Sequence, residues 1–413
     1  MGVDLKMIFE SSMLENKDDV TEEIQPILCN TVEKRTEFCE IKTDARVEAK
    51  SSSVFVVSSS SQVEIGNISL GTAIRPYARK TDPGAMRKVS QWSTLLKHAE
   101  GLEEIPRCTR NHSVPALLFS VGGYAGNNYH AFVDVVIPLF ITSREYNGEV
   151  QFLITDYWSN FLAKFVKVLK GLSKYEPINI DKENEQVHCF PSATIGLKRN
   201  PEGINIDATN HSTSMKEFQD FLRNSYSLNR AKAIRIEDNL RRKKPQLLII
   251  SRKRTRAFTN TEEIGAMARS LGYNVTITEA DSNLERFSET VNSCDVLMGV
   301  HGAGLTNIFF LPEKAVLIQV LPLGGFEWLA KEYFGQPSIA LNLNYLEYKI
   351  SKEESTLIEQ YPIDHPVFTD PSSVNNQGWH AFKSIYLDKQ SVNLDVNRFK
   401  PTLVKALKLL HDH

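Results

Sequence analysis

Short apolar runs alternate with amphipathic stretches along most of this chain. In its C-terminal part the alternation is regular. Residues 246–250, 274–278, 295–300, 315–320 and 337–343 are compact apolar runs that read as strands. Between them, residues 261–271, 284–293 and 326–334 show helical spacing, the first ending at Gly272, a residue suited to a helix C-cap. Residues 396–410 form a last helical stretch. Near-continuous apolar strands separated by helices predict a parallel, doubly wound sheet, with its ligand at the carboxyl ends of the strands.

The N-terminal part is less regular. Residues 54–57 form one strand between serine clusters, and 116–121, 150–155, 187–190 and 193–197 read as further strands. Residues 122–128 form a glycine-rich turn. Helices are expected over 129–145, interrupted by Pro138, and over 159–171 and 216–226. The basic run Arg241 to Lys244, followed by Pro245, marks a boundary. The domains expected are a charged stem with a cysteine loop (1–50), an N-terminal α/β domain (51–244), a C-terminal α/β domain (245–395) and a terminal helix (396–413).

Charge and composition narrow the class. The 413 residues carry 48 basic and 50 acidic side chains, a net charge of −2, far from the basic excess of a nucleic-acid coat. No apolar stretch is long enough for a transmembrane helix, and the first residues lack the apolar core of a signal peptide. The five cysteines lack metal spacing. Two readings of them stand: unrelated thiols, or bridges Cys29–Cys39 and Cys108–Cys189 with Cys294 left buried, which would require an oxidising compartment. Sequons at Asn67, Asn111, Asn210 and Asn274 lean toward the second.

Four places carry candidate chemistry. At the end of the 295–300 strand stands His301, followed by Gly302, Ala303, Gly304, Leu305 and Thr306, a glycine turn opening a helix. Backbone amides at such a turn favour an anion such as a diphosphate. The third glycine of a dinucleotide fingerprint is missing, which argues against a nicotinamide site. Arg252 projects from the carboxyl edge of the 246–250 strand, with Lys253, Arg254 and Arg256 beyond it; a guanidinium suits phosphate. His130 and Asp134 are one helical turn apart. Spacing leaves their roles open: an imidazole base held by the carboxylate, a carboxylate base beside a substrate-binding histidine, or a structural pair. Glu327 and Trp328 open a helix about 25 residues after the glycine turn, where a carboxylate can hold ribose and an indole can stack. There is no Gly-Lys-Ser/Thr loop, His-Glu-x-x-His, Cys-x-x-Cys or Gly-x-Ser-x-Gly, and no Asp-x-Asp metal clamp.

Taken together, Cys29 to Cys39 with Asp44 to Arg46, Gly126 to Phe140, Leu248 to Arg254, Cys294 to Pro312, Gln319 to Pro322, Glu327-Trp328, Tyr345 to Tyr348, Glu354 to Leu357 and Val392 to Asp395 resemble plant glycosyltransferase family 61, the group with xylan arabinosyl- and xylosyltransferases. The resemblance implies a GT-B fold, two Rossmann-like domains facing a cleft, with the C-terminal helix crossing back. It implies inverting transfer of a pentose, xylose or arabinofuranose, from a UDP-sugar to xylan, without cofactor or essential metal, in the Golgi lumen. The family's type II membrane anchor has no counterpart in this sequence, and a homodimer fits the reading. On this view Arg252, His301, residues 302–306, Glu327 and Trp328 hold the donor, and His130 with Asp134 deprotonates the acceptor. Asn128 and Tyr129, with Tyr124 and Trp158 as further stacking aromatics, meet the acceptor. A catalytically silent polysaccharide-binding or scaffold member of the same fold is the alternative.

Overall fold

Alternating burial sorts the N-terminal strands into two layers. The computed structural model describes residues 25–58, 71–98, 105–199, 204–206, 213–236, 243–281 and 283–412; residues 1–24 of the expected stem, Asn67, Asn210, Arg241 and Arg242 lie outside these. The N-terminal strands are β1 (Ile27–Asn30), β2 (Phe38–Ile41), β3 (Ala45–Glu48), β4 (Ser53–Ser58), β5 (Thr72–Ile74), β6 (Trp92–His98), β7 (Arg110–Asn111), β8 (Ala116–Ser120), β9 (Gln151–Thr155), β10 (Ile178–Asn179), β11 (Val187–Phe190) and β12 (Ala193–Gly196). They form two six-stranded sheets, ordered β1-β2-β12-β8-β9-β10 and β5-β6-β4-β3-β11-β7. Ala116, Leu118 and Leu153 face the second sheet and pack in one core with Val47, Val54 and Trp92. Leu117, Phe119, Phe152 and Ile154 point the other way, into the larger core under the helices.

Two expectations change here. Residues 27–48 are not a stem: β1 and β2 extend the first sheet antiparallel to β12, and β3 lies between β4 and β11 in the second. Among the described residues the longest parallel run is β12-β8-β9-β10, and the second sheet mixes parallel pairs β4-β6 and β11-β7 with antiparallel ones, so this half is a pair of mixed sheets rather than one doubly wound sheet. Cys29 and Cys39 face each other on β1 and β2 and are disulfide-bonded, Cys108 is bonded to Cys189 on β11, and Cys294 is buried and free.

Pro138 widens a helix rather than ending it. The chain runs as α-helix over Asn128–His130, as a π-helix over Ala131–Val136 and as α-helix again over Ile137–Ser143. Proline has no N–H to give the carbonyl four residues back, which belongs to Asp134, and its ring crowds that carbonyl. The Ile137 amide bonds instead to Phe132, five residues back. Widened turns of this kind recur at functional sites.

The C-terminal half contains β13 (Gln246–Ser251), β14 (Asn274–Glu279), β15 (Val296–Val300), β16 (Val316–Leu321) and β17 (Asn344–Lys349) in the order β14-β13-β15-β16-β17. All are parallel, and β13, β15 and β16 are buried on both faces, as a doubly covered sheet demands, with Gln319 a polar exception inside β16. The strand order reverses between β13 and β15, the position at which such sheets bind ligands. The expected strand over 337–343 is helical over Gln336–Ala340, with Pro337 in its first turn, and Asn342 at positive φ turns the chain into β17. The terminal helix Val396–His411 lies mainly against the helix Thr261–Ser270, β16 and β17 of its own half, and near its end the Leu410 carbonyl accepts from the amide of Ile236, a residue of the expected N-terminal domain. The halves meet through aromatic contacts, Phe132 lying 5.1 Å from Phe309 and Phe218 lying 5.4 Å from Phe309 between ring centroids.

The two disulfides close loops of different length, separations of 10 and 81 residues. Chain-entropy reasoning gives about 2.7 kcal/mol for the short loop and about 4.5 kcal/mol for the long one. Replacing Cys108 and Cys189 by alanine should therefore lower the unfolding free energy more than replacing Cys29 and Cys39. Denaturant midpoints of the two double variants check the order.

Candidate active site

A buried carboxylate organises the N-terminal side of the cleft. Asp134 is fully buried inside the π-turn. Its Oδ2 accepts from His130 Nδ1 at 2.9 Å and from the Tyr77 hydroxyl at 3.2 Å. Its Oδ1 accepts from Arg199 at 2.7 Å, and Arg79 lies 3.6 Å away. Burial alone would raise the carboxyl pKa, but the His130 hydrogen bond and the charges of Arg199 and Arg79 outweigh it and hold Asp134 below the usual carboxylate range. Tyr77 is pushed up by burial, so its hydroxyl stays protonated and donates. The same hydroxyl accepts the Tyr124 amide, and its ring lies against Gly123, where a Cβ would stand 2.6 Å away and φ is +57°. Only glycine suits that position.

The two side chains differ in access to the cleft. Asp134 has no exposed surface, while the His130 side chain is 22% exposed. Nδ1 carries the proton given to Asp134, so Nε2 is the nitrogen with a free lone pair.

The second centre lies at the switch point of the parallel sheet. A cavity of roughly 330 Å³ opens there, lined among others by Ser251, Arg252, Ala303, Gly304 and Asn307, and from the other half by Asn128 and Lys164. Arg252 Nε donates to the Thr255 carbonyl at 2.8 Å, which folds its side chain back over the turn. Arg256 donates to the His301 carbonyl at 2.8 Å. Both guanidinium groups crowd Gly302, where a Cβ would stand 2.7 Å from Arg256 and 2.9 Å from Arg252, with φ at +151°. Burial, then the neighbouring Arg252, brings Arg256 down to about 10. Two adjacent half-buried guanidinium groups over a glycine turn are an arrangement that can hold an anion.

The remaining expected donor residues divide. His301 is buried behind the turn, accepts from Gln319 Nε2 at 2.5 Å on Nδ1, and packs against Phe326 and Phe334. Burial first, then Arg256 and Arg252, push its imidazole down to about 3, so it is a neutral donor and not a cation. Leu305 and Thr306 are buried, Leu305 in the core against Gly299. Glu327 pairs with Lys349 at 3.3 Å and lies outside the cavity lining, as does Trp328, which is 66% exposed beside Tyr333. Asn128 lines the donor-side cavity instead of a separate acceptor surface. Tyr129 packs on Tyr333 across the two halves, ring centroids 4.9 Å apart and planes tilted by 34°. Trp158 is 39% exposed, and its ring lies over Gly126 near the start of the His130 helix.

Sequence reading missed Tyr77, Arg79 and Arg199, and gave Arg256 and Lys164 no role at the site. Arg256 had a usable signal, since it shares the loop that follows β13 with Arg252.

Two outcomes follow. Asp134→Ala leaves Arg199 buried without its carboxylate and should cost about 3–5 kcal/mol, whereas His130→Ala should cost about 1–2 kcal/mol; urea unfolding of the two variants measures the difference. The pH dependence has a definite sign. His301 has a folded pKa below its unfolded value of about 6.5, so its contribution to stability is complete above that value and fades as pH falls toward about 3. His301→Gln should flatten the fall in melting temperature between about pH 6.5 and 4. His112 and His188, also lowered by burial, retain part of the slope.

Residues 129–318 match the sequence model of the family Glycosyltransferase 61. The chain is 41% identical over 408 residues to an alpha-1,3-arabinosyltransferase of Oryza sativa subsp. japonica, covering 97% of this chain and 68% of that protein. It is 41% identical over 399 residues to a beta-1,2-xylosyltransferase of the same organism, covering 92% and 84%. A xylan glycosyltransferase of Arabidopsis thaliana is 34% identical over 413 residues, covering 97% and 82%. Identity of this level along nearly the whole chain fixes its kinship: it belongs to the glycosyltransferase 61 family and is a glycosyltransferase.

Proposed function

We propose that this protein is an inverting, GT-B-type transferase that moves a pentose from a UDP-sugar to a hydroxyl of the xylan backbone. The observation that carries the reading is the position of His130: held by Asp134, it stands on the helix whose first residue, Asn128, lines the arginine cavity. The names of the relatives supply the acceptor and the pentose class.

The mechanism follows from the two centres. The diphosphate of the donor sits against Arg252, Arg256 and the Gly302–Gly304 backbone. The acceptor hydroxyl attacks the anomeric carbon in line as the bond to the diphosphate oxygen breaks, and UDP leaves with the electron pair. His130 Nε2 takes the hydroxyl proton, and Asp134 stabilises the imidazolium that forms. The arginines and backbone amides offset the charge that grows on the leaving phosphate, so the reaction runs without an essential metal. Trp158, exposed beside the His130 helix, provides a face for a sugar ring. Two disulfides and exposed sequons at Asn111 and Asn274 support an oxidising lumen, the Golgi on this reading.

The test is pentose transfer to xylo-oligosaccharides, read by product mass, with UDP-xylose and UDP-arabinofuranose supplied in parallel and EDTA present. Product from one donor is expected. His130→Ala should lower kcat by ~10²–10⁴ with the fold intact. Arg252→Ala should raise the donor KM roughly tenfold to a hundredfold. Near-normal turnover of His130→Ala overturns the base assignment. Absence of product from both donors overturns the pentosyltransferase reading.

A further inference from the structure

The cavity at the switch point is not built by one half alone. Lys164 enters its lining from the helix Ser159–Leu172 of the N-terminal half, opposite Arg252. Its neighbours show that it is not committed to a structural ion pair. Lys167, one turn on, is bound to Glu285 at 2.6 Å, which ties this helix to the C-terminal half. Lys253, on the cavity's other wall, takes Glu279 at 3.1 Å. Lys164 donates to the neutral Asn128 Oδ1 at 2.7 Å, and no carboxylate among the described residues lies within ion-pair distance. Burial lowers its pKa with no opposing charge to restore it. Lys164 shares this lining with Arg252 and the Gly304 backbone, while Glu279 is taken by Lys253, so the ammonium is left available to an anion that enters the cavity.

We propose that Lys164 binds the diphosphate of the nucleotide-sugar across the cleft from Arg252, so that the donor itself joins the two halves. The inference rests on the donor reading above and assigns that site a residue from the opposite half. It also links the donor to the base. Asn128, the partner of Lys164, is the first residue of the helix that carries His130, and this helix packs on the Ala303–Phe310 segment. When the ammonium engages phosphate, Asn128 and the start of that helix are held by the same contact.

The experiment compares affinities for UDP and uridine by calorimetry in the wild type, Lys164→Met, Lys164→Arg and Arg252→Ala. Lys164→Met should weaken UDP roughly tenfold to a hundredfold and leave uridine unchanged, because only the diphosphate meets the ammonium. Lys164→Arg should recover much of the loss. Melting temperatures confirm that each variant is folded, and Lys164→Gln replaces the methionine variant if that one is not. An unchanged UDP affinity, or equal weakening of UDP and uridine, overturns the role of Lys164 while Arg252→Ala still narrows the UDP-to-uridine ratio. If the wild type itself binds UDP no better than uridine, the diphosphate reading of the cavity falls, and Lys164 with it.

Discussion

A carboxylate cut off from water must be neutralised by the protein around it, and Asp134 is where this fold meets that demand. Its four partners come from separate parts of the chain. His130 is one turn away, Tyr77 and Arg79 follow β5, and Arg199 follows β12. The carboxylate therefore ties the ends of both N-terminal sheets to the helix over the cleft. Two guanidinium groups keep it anionic whether or not the imidazole is charged. A histidine held in this way keeps one tautomer and presents its other nitrogen outward, so fold stability and the orientation of the candidate base arise from the same contacts.

The C-terminal half has the opposite electrostatic character. Arg252 and Arg256 crowd a glycine turn, and the histidine behind that turn is kept neutral. A third positive charge at His301 would add repulsion, since the charges acting on that ring are those of Arg256 and Arg252. The Gln319 amide, aimed at Nδ1, favours the neutral ring with its proton on Nε2. Net positive charge is thus stored at one wall of the cleft and an oriented imidazole at the other. A reaction that releases an anion while freeing a proton needs that division.

Sequence pattern revealed the parts of this arrangement that are local. The apolar strands of the parallel sheet announced themselves because a strand buried on both faces has no polar positions to confuse the period. The His130–Asp134 pair was visible because its spacing is one helical turn. What escaped reading is long-range. Tyr77 and Arg199 meet Asp134 from 57 and 65 residues away, and nothing in their neighbourhoods marks them. Residues 27–48 looked like a stem because strands of four residues with charged members carry too little periodicity to stand out. Residues 337–343 misled for a different reason: Pro337, Ile339 and Ala340 are apolar enough for a strand, yet proline is equally at home in the first turn of a helix. Pro138 misled in the same sense, since its missing hydrogen bond was absorbed by a wider turn.

Identity to an arabinosyltransferase and to a xylosyltransferase is the same, 41% in each case, so overall similarity carries no information about the donated sugar. The physics of the cleft explains why. On the proposed reading, the arginines and the glycine turn hold a diphosphate common to both donors, and the base acts on a hydroxyl in either case. Discrimination between two pentoses then falls to the few side chains between these fixed points, and ~1–3 kcal/mol is enough to decide it. Asn128 lines the cavity at the seam of the two halves, where it accepts from Lys164. On the proposed reading, sugar choice therefore rests on few side chains between these fixed points.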